Sequence, residues 1–173
     1  MIELLCVDVD GTLTDGSLFY GNLGALKDTT NIIECAKIFN AKDGLGLAYW
    51  NHIGRKVAII TGKSNEILLH RAKELKIDFV FMNVKNKGEI LRDLKKKSSL
   101  DSSQVAAIGD DLNDISMFKE SSLNFAPNDC VEGIKSFVDI TLNAKGGKGA
   151  VREAIEYILK KEQIYENFIQ SFA

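Results

Sequence analysis

Three acidic side chains, Asp8, Asp10 and Asp15, fall within the ten residues VDVDGTLTDG at positions 7 to 16. The preceding IELLCV is aliphatic and β-branched, so the pattern predicts a buried strand of a parallel sheet that runs directly into the first two carboxylates. Carboxylates a few ångströms apart cannot all stay ionised without a compensating cation. An Asp-x-Asp pair at a strand end therefore points to a bound metal, with a solvated Asp/Gly turn as the plainer alternative.

Such a pair needs a frame. Further apolar runs follow at VAII (57 to 60), FVFM (79 to 82), VAAI (105 to 108), LNFA (123 to 126) and ITL (140 to 142). Helical patterns lie between them at NEILLHRAKEL (65 to 75), KGEILRDLKKK (87 to 97) and NDISMFKE (113 to 120). Strands alternating with helices predict an α/β, Rossmann-like doubly wound parallel sheet, which binds ligands at the carboxyl ends of its strands. Those ends carry DVDGT, TGKS (61 to 64), NVKNK (83 to 87) and GDDLND (109 to 114). Carboxylates from the first and fourth could hold a divalent cation, while a hydroxyl and a lysine from the second and third could bind an anion beside it.

Two segments break the alternation. Residues 17 to 39 place turn residues between apolar stretches and read as a β-hairpin. Residues 146 to 173 open with GGKG, continue as the amphipathic AVREAIEYILKK and end in an aromatic-rich tail. GGKG could be a hinge for that tail or an ordinary loop before a helix.

At 173 residues the chain suits one domain, 1 to 173. A net charge of −2 gives no electrostatic case for a nucleic-acid partner, and the KKK run at 95 to 97 reads as a solvated helix end. Cys6, Cys35 and Cys130 lack the spacing of a disulfide framework or a zinc site and read as small buried residues. No apolar run approaches the roughly 18 residues that span a membrane, and the first motif starts too early for a signal peptide, so the expected location is the cytoplasm. His52 and His70 lie among apolar residues, and Tyr49 and Trp50 read as core or interface.

In this order and each after a strand, Asp-x-Asp-Gly-Thr, Thr-Gly, Lys and Gly-Asp-Asp-x-x-Asp resemble the haloacid dehalogenase superfamily of phosphotransferases. Response-regulator receivers also gather acids, a hydroxyl and a lysine at strand ends, but in another order, since here the lysine precedes GDD. The resemblance implies that Asp8 is the nucleophile and Asp10 the acid/base. It implies Mg²⁺ held by Asp8, the Asp10 main chain and Asp110, with Asp111 and Asp114 orienting what surrounds them. Thr61 and Gly62 would bind the phosphoryl group and Lys87 would neutralise it, Lys85 being the competitor for that role. Capping the following helix is the alternative for Asp111 and Asp114.

Neither interval that holds a cap domain in this superfamily is long enough for one here. DGTLTDGSLFYG, FNAKDGLGL, GDDLND and GGKGAVREAIEYIL resemble the capless 3-deoxy-D-manno-octulosonate 8-phosphate phosphatases. That resemblance implies a homotetramer built through the hairpins, C-terminal tails that reach a neighbouring site, and a small sugar phosphate as substrate. It implies substrate contacts from Lys63, Lys42, Asp43 and, across a subunit boundary, Arg71. Octulosonate phosphatases usually carry arginine where Lys63 stands, and nonulosonate 9-phosphate phosphatases carry glutamate. Lysine keeps the cation but not the bidentate fork, so a nonulosonate phosphatase is the alternative reading. A catalytically idle interaction module is the other, and clustered carboxylates that destabilise a metal-free fold argue against it.

Overall fold

A computed structural model describes residues 1–22 and 32–173 of the chain. In chain order its elements begin with β1 (Leu4–Val7), β2 (Phe19–Asn22), β3 (Ile32–Ala36), α1 (Ala41–His52), β4 (Lys56–Ile60), α2 (Glu66–Glu74) and β5 (Phe79–Phe81). They continue with α3 (Lys87–Ser98), β6 (Val105–Ile108), α4 (Ile115–Phe118), β7 (Leu123–Ala126), β8 (Ile140–Thr141), α5 (Ala150–Lys161) and α6 (Tyr165–Gln170). Among the described residues one all-parallel sheet runs β5-β4-β1-β6-β7-β8, and each of the six apolar runs supplies one of its strands. β1 sits at the point where strand order reverses, the place where such sheets open a crevice at their carboxyl ends.

β1 is buried on both faces because its side chains alternate between two cores. Leu5 and Val7 join Val57, Ile59 and Ile108 beneath α1 and α5. Leu4 and Cys6 join Ala58, Ile60 and Ala107 beneath α3 and α4. Tyr49 and Trp50 are buried in the first of these cores, as expected. No helix among the described residues is long and apolar enough to cross a membrane, and no cap domain intervenes among them.

The hairpin exists as two antiparallel arms, β2 and β3, closed at the base by a Thr14–Phe39 bridge, while residues 23–31 lie outside the described residues. Cys6 and Cys130 are buried as expected, whereas Cys35, on a hairpin arm, is only half-buried.

The C-terminal segment packs on its own chain at two places. GGKG is a wedge against the first motif. A Cβ on Gly146 would fall on the Gly11 carbonyl, and Gly147 donates its N–H to Thr12 O at 3.0 Å. The tail packs on its own chain, because α6 carries an aromatic side chain that finds a pocket there. Phe168 is 1% exposed, with its ring centroid 4.5 Å from that of Tyr49 and the Arg152 guanidinium 4.4 Å above it. Glu162 fixes the approach by pairing with buried Arg55 and accepting the Ile2 N–H at 2.7 Å.

Candidate active site

The turn after β1 is built around Gly11. Its φ of 95° lies in the left-handed region, and a Cβ there would collide with the Asp110 carboxylate, so glycine lets the loops after β1 and β6 meet. Thr12 Oγ1 donates to Asp110 Oδ1 at 2.9 Å and holds that carboxylate toward β1. Asp114 works from the other side. Its Oδ2 accepts the backbone N–H groups of Asp110 (2.9 Å) and Asp111 (3.1 Å), and its Oδ1 accepts from Lys87 Nζ at 2.6 Å.

Lys87 opens α3 and is buried between Asp114 and Asp8, donating to Asp8 Oδ1 as well. Lys85 stands exposed outside this cluster. The sequence signal for Lys87 is its position directly after the helix cap, Asn86, whose side chain accepts from Glu89 N. A lysine there points back into the crevice at the strand ends.

Asp8, Asp110 and Asp114 each bring a carboxylate oxygen within 4.8 Å of the other two. Burial, and then the charge of Asp114, drive the Asp8 carboxyl well above its ordinary pKa, with Lys87 opposing the shift. Burial and the same neighbour push Asp110 up to about 6. Burial works against the charge on Lys87, but the Asp8 and Asp114 carboxylates more than offset it and hold its pKa above that of an ordinary lysine. Three ionised acids sharing one lysine leave the cluster two positive charges short of neutrality. Hard carboxylate oxygens in that state suit a divalent cation with a preference for oxygen, such as Mg²⁺.

The family model for haloacid dehalogenase-like hydrolases matches residues 76–155. The 3-deoxy-D-manno-octulosonate 8-phosphate phosphatase of Haemophilus influenzae is 35% identical over 161 residues, 93% of this chain and 84% of the relative. That of Escherichia coli K12 is 34% identical over 158 residues, 91% of this chain and 79% of its own. The chain belongs to the 3-deoxy-D-manno-octulosonate 8-phosphate phosphatase family.

Solved structures agree. The Moraxella catarrhalis phosphatase, crystallised with a magnesium ion, a phosphate ion and a KDO molecule, superposes with a TM-score of 0.90 at 35% identity over 99% of this chain and 94% of its own. The cobalt-bound H. influenzae phosphatase gives 0.84 at 34% identity, over 95% and 91% of the two chains.

Within this phosphatase-family chain the remaining expected residues separate by position. Thr61 is buried at the end of β4, its main chain tied to Phe81 and Val84, and Gly62 and Lys63 stand exposed just beyond it. Asp10 is half-buried at the first turn. Asp111 is exposed and accepts from Leu112 N at 2.6 Å, a cap on the turn beyond it. Lys42 is exposed at the start of α1. Arg71 faces Phe39 and pairs with Glu74 at 2.8 Å, and neither partner belongs to the carboxylate cluster.

Asp43 departs from the expected substrate contact. It is 1% exposed and accepts the Arg152 N–H at 2.8 Å, supplying in trans the cap that α5 lacks at its own Gly149. Burial raises its carboxyl to about 6 against these N–H donors. A raised folded-state pKa means that the folded chain holds this proton more tightly than the unfolded one. Its contribution is therefore best below about pH 4 and is lost as pH rises through about 6. The variant Asp43→Asn does not titrate. Its stability relative to the parent should climb by up to about 3 kcal/mol between about pH 4 and about pH 7 in denaturant melts, and a flat difference would contradict this reading.

Two residues escaped sequence reasoning. Thr12 closes the DGT triplet, and its hydroxyl had no partner until the fold brought Asp110 to it. Lys37 lies just past β3, with Nζ paired to Asp10 and, at 2.7 Å, to Glu34. Burial opposes its charge, and the two carboxylates hold its pKa above the usual lysine value. In the sequence it is one lysine of the hairpin stretch, without a motif around it.

Proposed function

We propose that this chain hydrolyses 3-deoxy-D-manno-octulosonate 8-phosphate to the free sugar acid and phosphate, the sugar acid serving lipopolysaccharide synthesis. The observation that carries the reading is the Asp8–Lys87–Asp114 ion cluster beside Asp110, at the reversal point of a sheet shared with that family. Asp8 attacks phosphorus and becomes an aspartyl-phosphate. Asp10 protonates the departing sugar oxygen and then activates the water that releases phosphate. Thr61 and the Gly62 backbone hold phosphoryl oxygens, and Lys87 balances the charge that spreads over them.

Mg²⁺ held by Asp8, Asp110 and the Asp10 main chain would screen the attacking carboxylate from the phosphate dianion. Asp114 has both oxygens engaged and serves to orient Lys87 and the Asp110 loop. Lys63 stands at the mouth as the cation for the sugar carboxylate, with Lys42 and a neighbouring subunit's Arg71 completing the approach. Charged sugar phosphates do not cross bilayers unaided, so the enzyme shares the compartment in which its substrate is made, which we read as the cytoplasm.

The test is phosphate release from the octulosonate 8-phosphate, a nonulosonate 9-phosphate and a hexose phosphate, each with Mg²⁺ and with excess chelator. The octulosonate should be preferred by about tenfold or more in kcat/KM, and chelation should stop turnover. A preference for the nonulosonate would move the assignment to that sugar, and indifference to chelator would remove the metal.

The oligomer follows from the hairpin. Phe19, Tyr20 and Ile32 are 65, 58 and 60% exposed on its arms, a concentration of apolar surface that supports a homotetramer formed through them. Sedimentation should give a species of about four 19.1 kDa chains that falls apart in the double variant Phe19→Asp, Ile32→Asp. A parent that sediments as a monomer would end this assignment.

A further inference from the structure

The base of the hairpin carries a buried polar chain that substrate chemistry leaves unused. Lys37 Nζ pairs with Asp10 Oδ1 and with Glu34 Oε1. The second oxygen of Glu34 accepts from Asn65 Nδ2 at 3.1 Å. Asn65 Oδ1 accepts the Ile67 N–H at 2.8 Å and so caps α2, the helix that comes after Thr61. Asp10, Lys37, Glu34 and Asn65 thus link the first turn, the hairpin and the end of β4.

This arrangement is costly for a surface hairpin. Burying a lysine removes its rotamer freedom and its water, and it persists only if fixed acceptors replace them. The Lys37 side chain is 2% exposed, while Ile32, on the same arm, stands largely open to solvent. The hairpin thus hides this cation and leaves apolar surface outside. That cation is directed at Asp10.

We propose that Lys37 is a positioning residue for Asp10, fixing from the hairpin the carboxyl orientation through which the leaving group is protonated. This rests on the reading of Asp10 as the acid/base. In the first step the bond from Asp8 to phosphorus forms as the ester P–O bond breaks. The bonding pair stays on the sugar oxygen, which takes the proton of Asp10. The carboxylate left behind keeps its charge-assisted bond to Lys37, so the contact is stronger after proton transfer than before it. An aryl phosphate needs no such proton, because its phenolate leaves unaided. In formation of the aspartyl-phosphate Lys37 should therefore matter for alkyl esters and hardly at all for aryl ones, whereas the hydrolysis that follows is common to both.

The experiment compares the octulosonate 8-phosphate with p-nitrophenyl phosphate, both with Mg²⁺, for the full-length parent, Lys37→Met, Lys37→Arg and Asp10→Asn. With enzyme in excess over ester, Lys37→Met should slow release of the sugar about 100-fold while release of p-nitrophenolate stays within about threefold. Near-parental release of p-nitrophenolate also certifies the fold. Lys37→Arg keeps the cation and must show the same asymmetry in smaller measure, about tenfold, which keeps the test open if the methionine variant does not fold. Equal losses on both esters would make Lys37 structural and overturn the proposal, as would no loss on either. If Asp10→Asn discriminates between the esters and the Lys37 variants do not, only this inference falls. If Asp10→Asn slows leaving-group release from both esters equally, the acid/base reading falls and takes this one with it.

Discussion

The variant Asp8→Asn should retain less than about one ten-thousandth of parental phosphate release, on alkyl and aryl esters alike. An amide cannot attack phosphorus, so the loss falls on the bond-forming step and is blind to the leaving group, unlike the losses at Asp10 and Lys37. The fold should survive, and for a specific reason. Asp8 is a buried acid whose pKa burial and Asp114 have raised, so replacing it by a neutral group relieves repulsion. Lys87 keeps its 2.6 Å partner in Asp114. The melting temperature of Asp8→Asn should therefore equal or exceed that of the parent without metal. Unfolding at a lower temperature would mean that Lys87 needs both acids. Retained turnover by a folded variant would remove the aspartyl-phosphate altogether.

Strand ends were the most legible part of this chain. IELLCV, VAII and VAAI are too short and too apolar for surface helices, and each runs straight into a residue of the site, namely Asp8, Thr61 and, one residue on, Asp110. The polar residues at the end of each run were enough to assemble the carboxylates and Lys87. α1 was harder, because AKDGLGLAYWNH contains two glycines and buries residues around much of its surface, which blurs helical periodicity. The same burial hid the role of Asp43. A carboxylate beside Lys42 looks like part of an exposed helix start, and nothing local announces that α5, more than a hundred residues later, will present its bare N-terminus to it. Lys37 was illegible for the same reason, since Asp10 meets it only after the hairpin folds back. Phe168 shows the limit in another form. An aromatic-rich tail does not announce which of its rings will pack on its own core, and Phe168 meets Tyr49 only once α6 folds back.

Lys87→Met should be the most damaging change to fold and chemistry together. The thioether fills the lysine's space but leaves Asp8 and Asp114 facing each other, buried and without a cation. Breaking such a buried pair by removing one partner costs about 3–5 kcal/mol, so the metal-free variant should melt well below the parent at neutral pH. That deficit has two signatures that lost packing would not produce. Acidification should shrink it, because Asp8, already driven toward its neutral form by burial and by Asp114, takes up a proton and the repulsion ends. Mg²⁺ should raise the melting temperature of the variant more than that of the parent, because the ion then supplies the only positive charge in the cluster. Turnover with saturating Mg²⁺ should still fall about 10³-fold, since a cation on Asp8 and Asp110 does not replace the one that faces the transferring phosphoryl group. A deficit that ignored both pH and Mg²⁺ would show that Lys87 matters for its shape, and the charge balance argued for this site would be wrong.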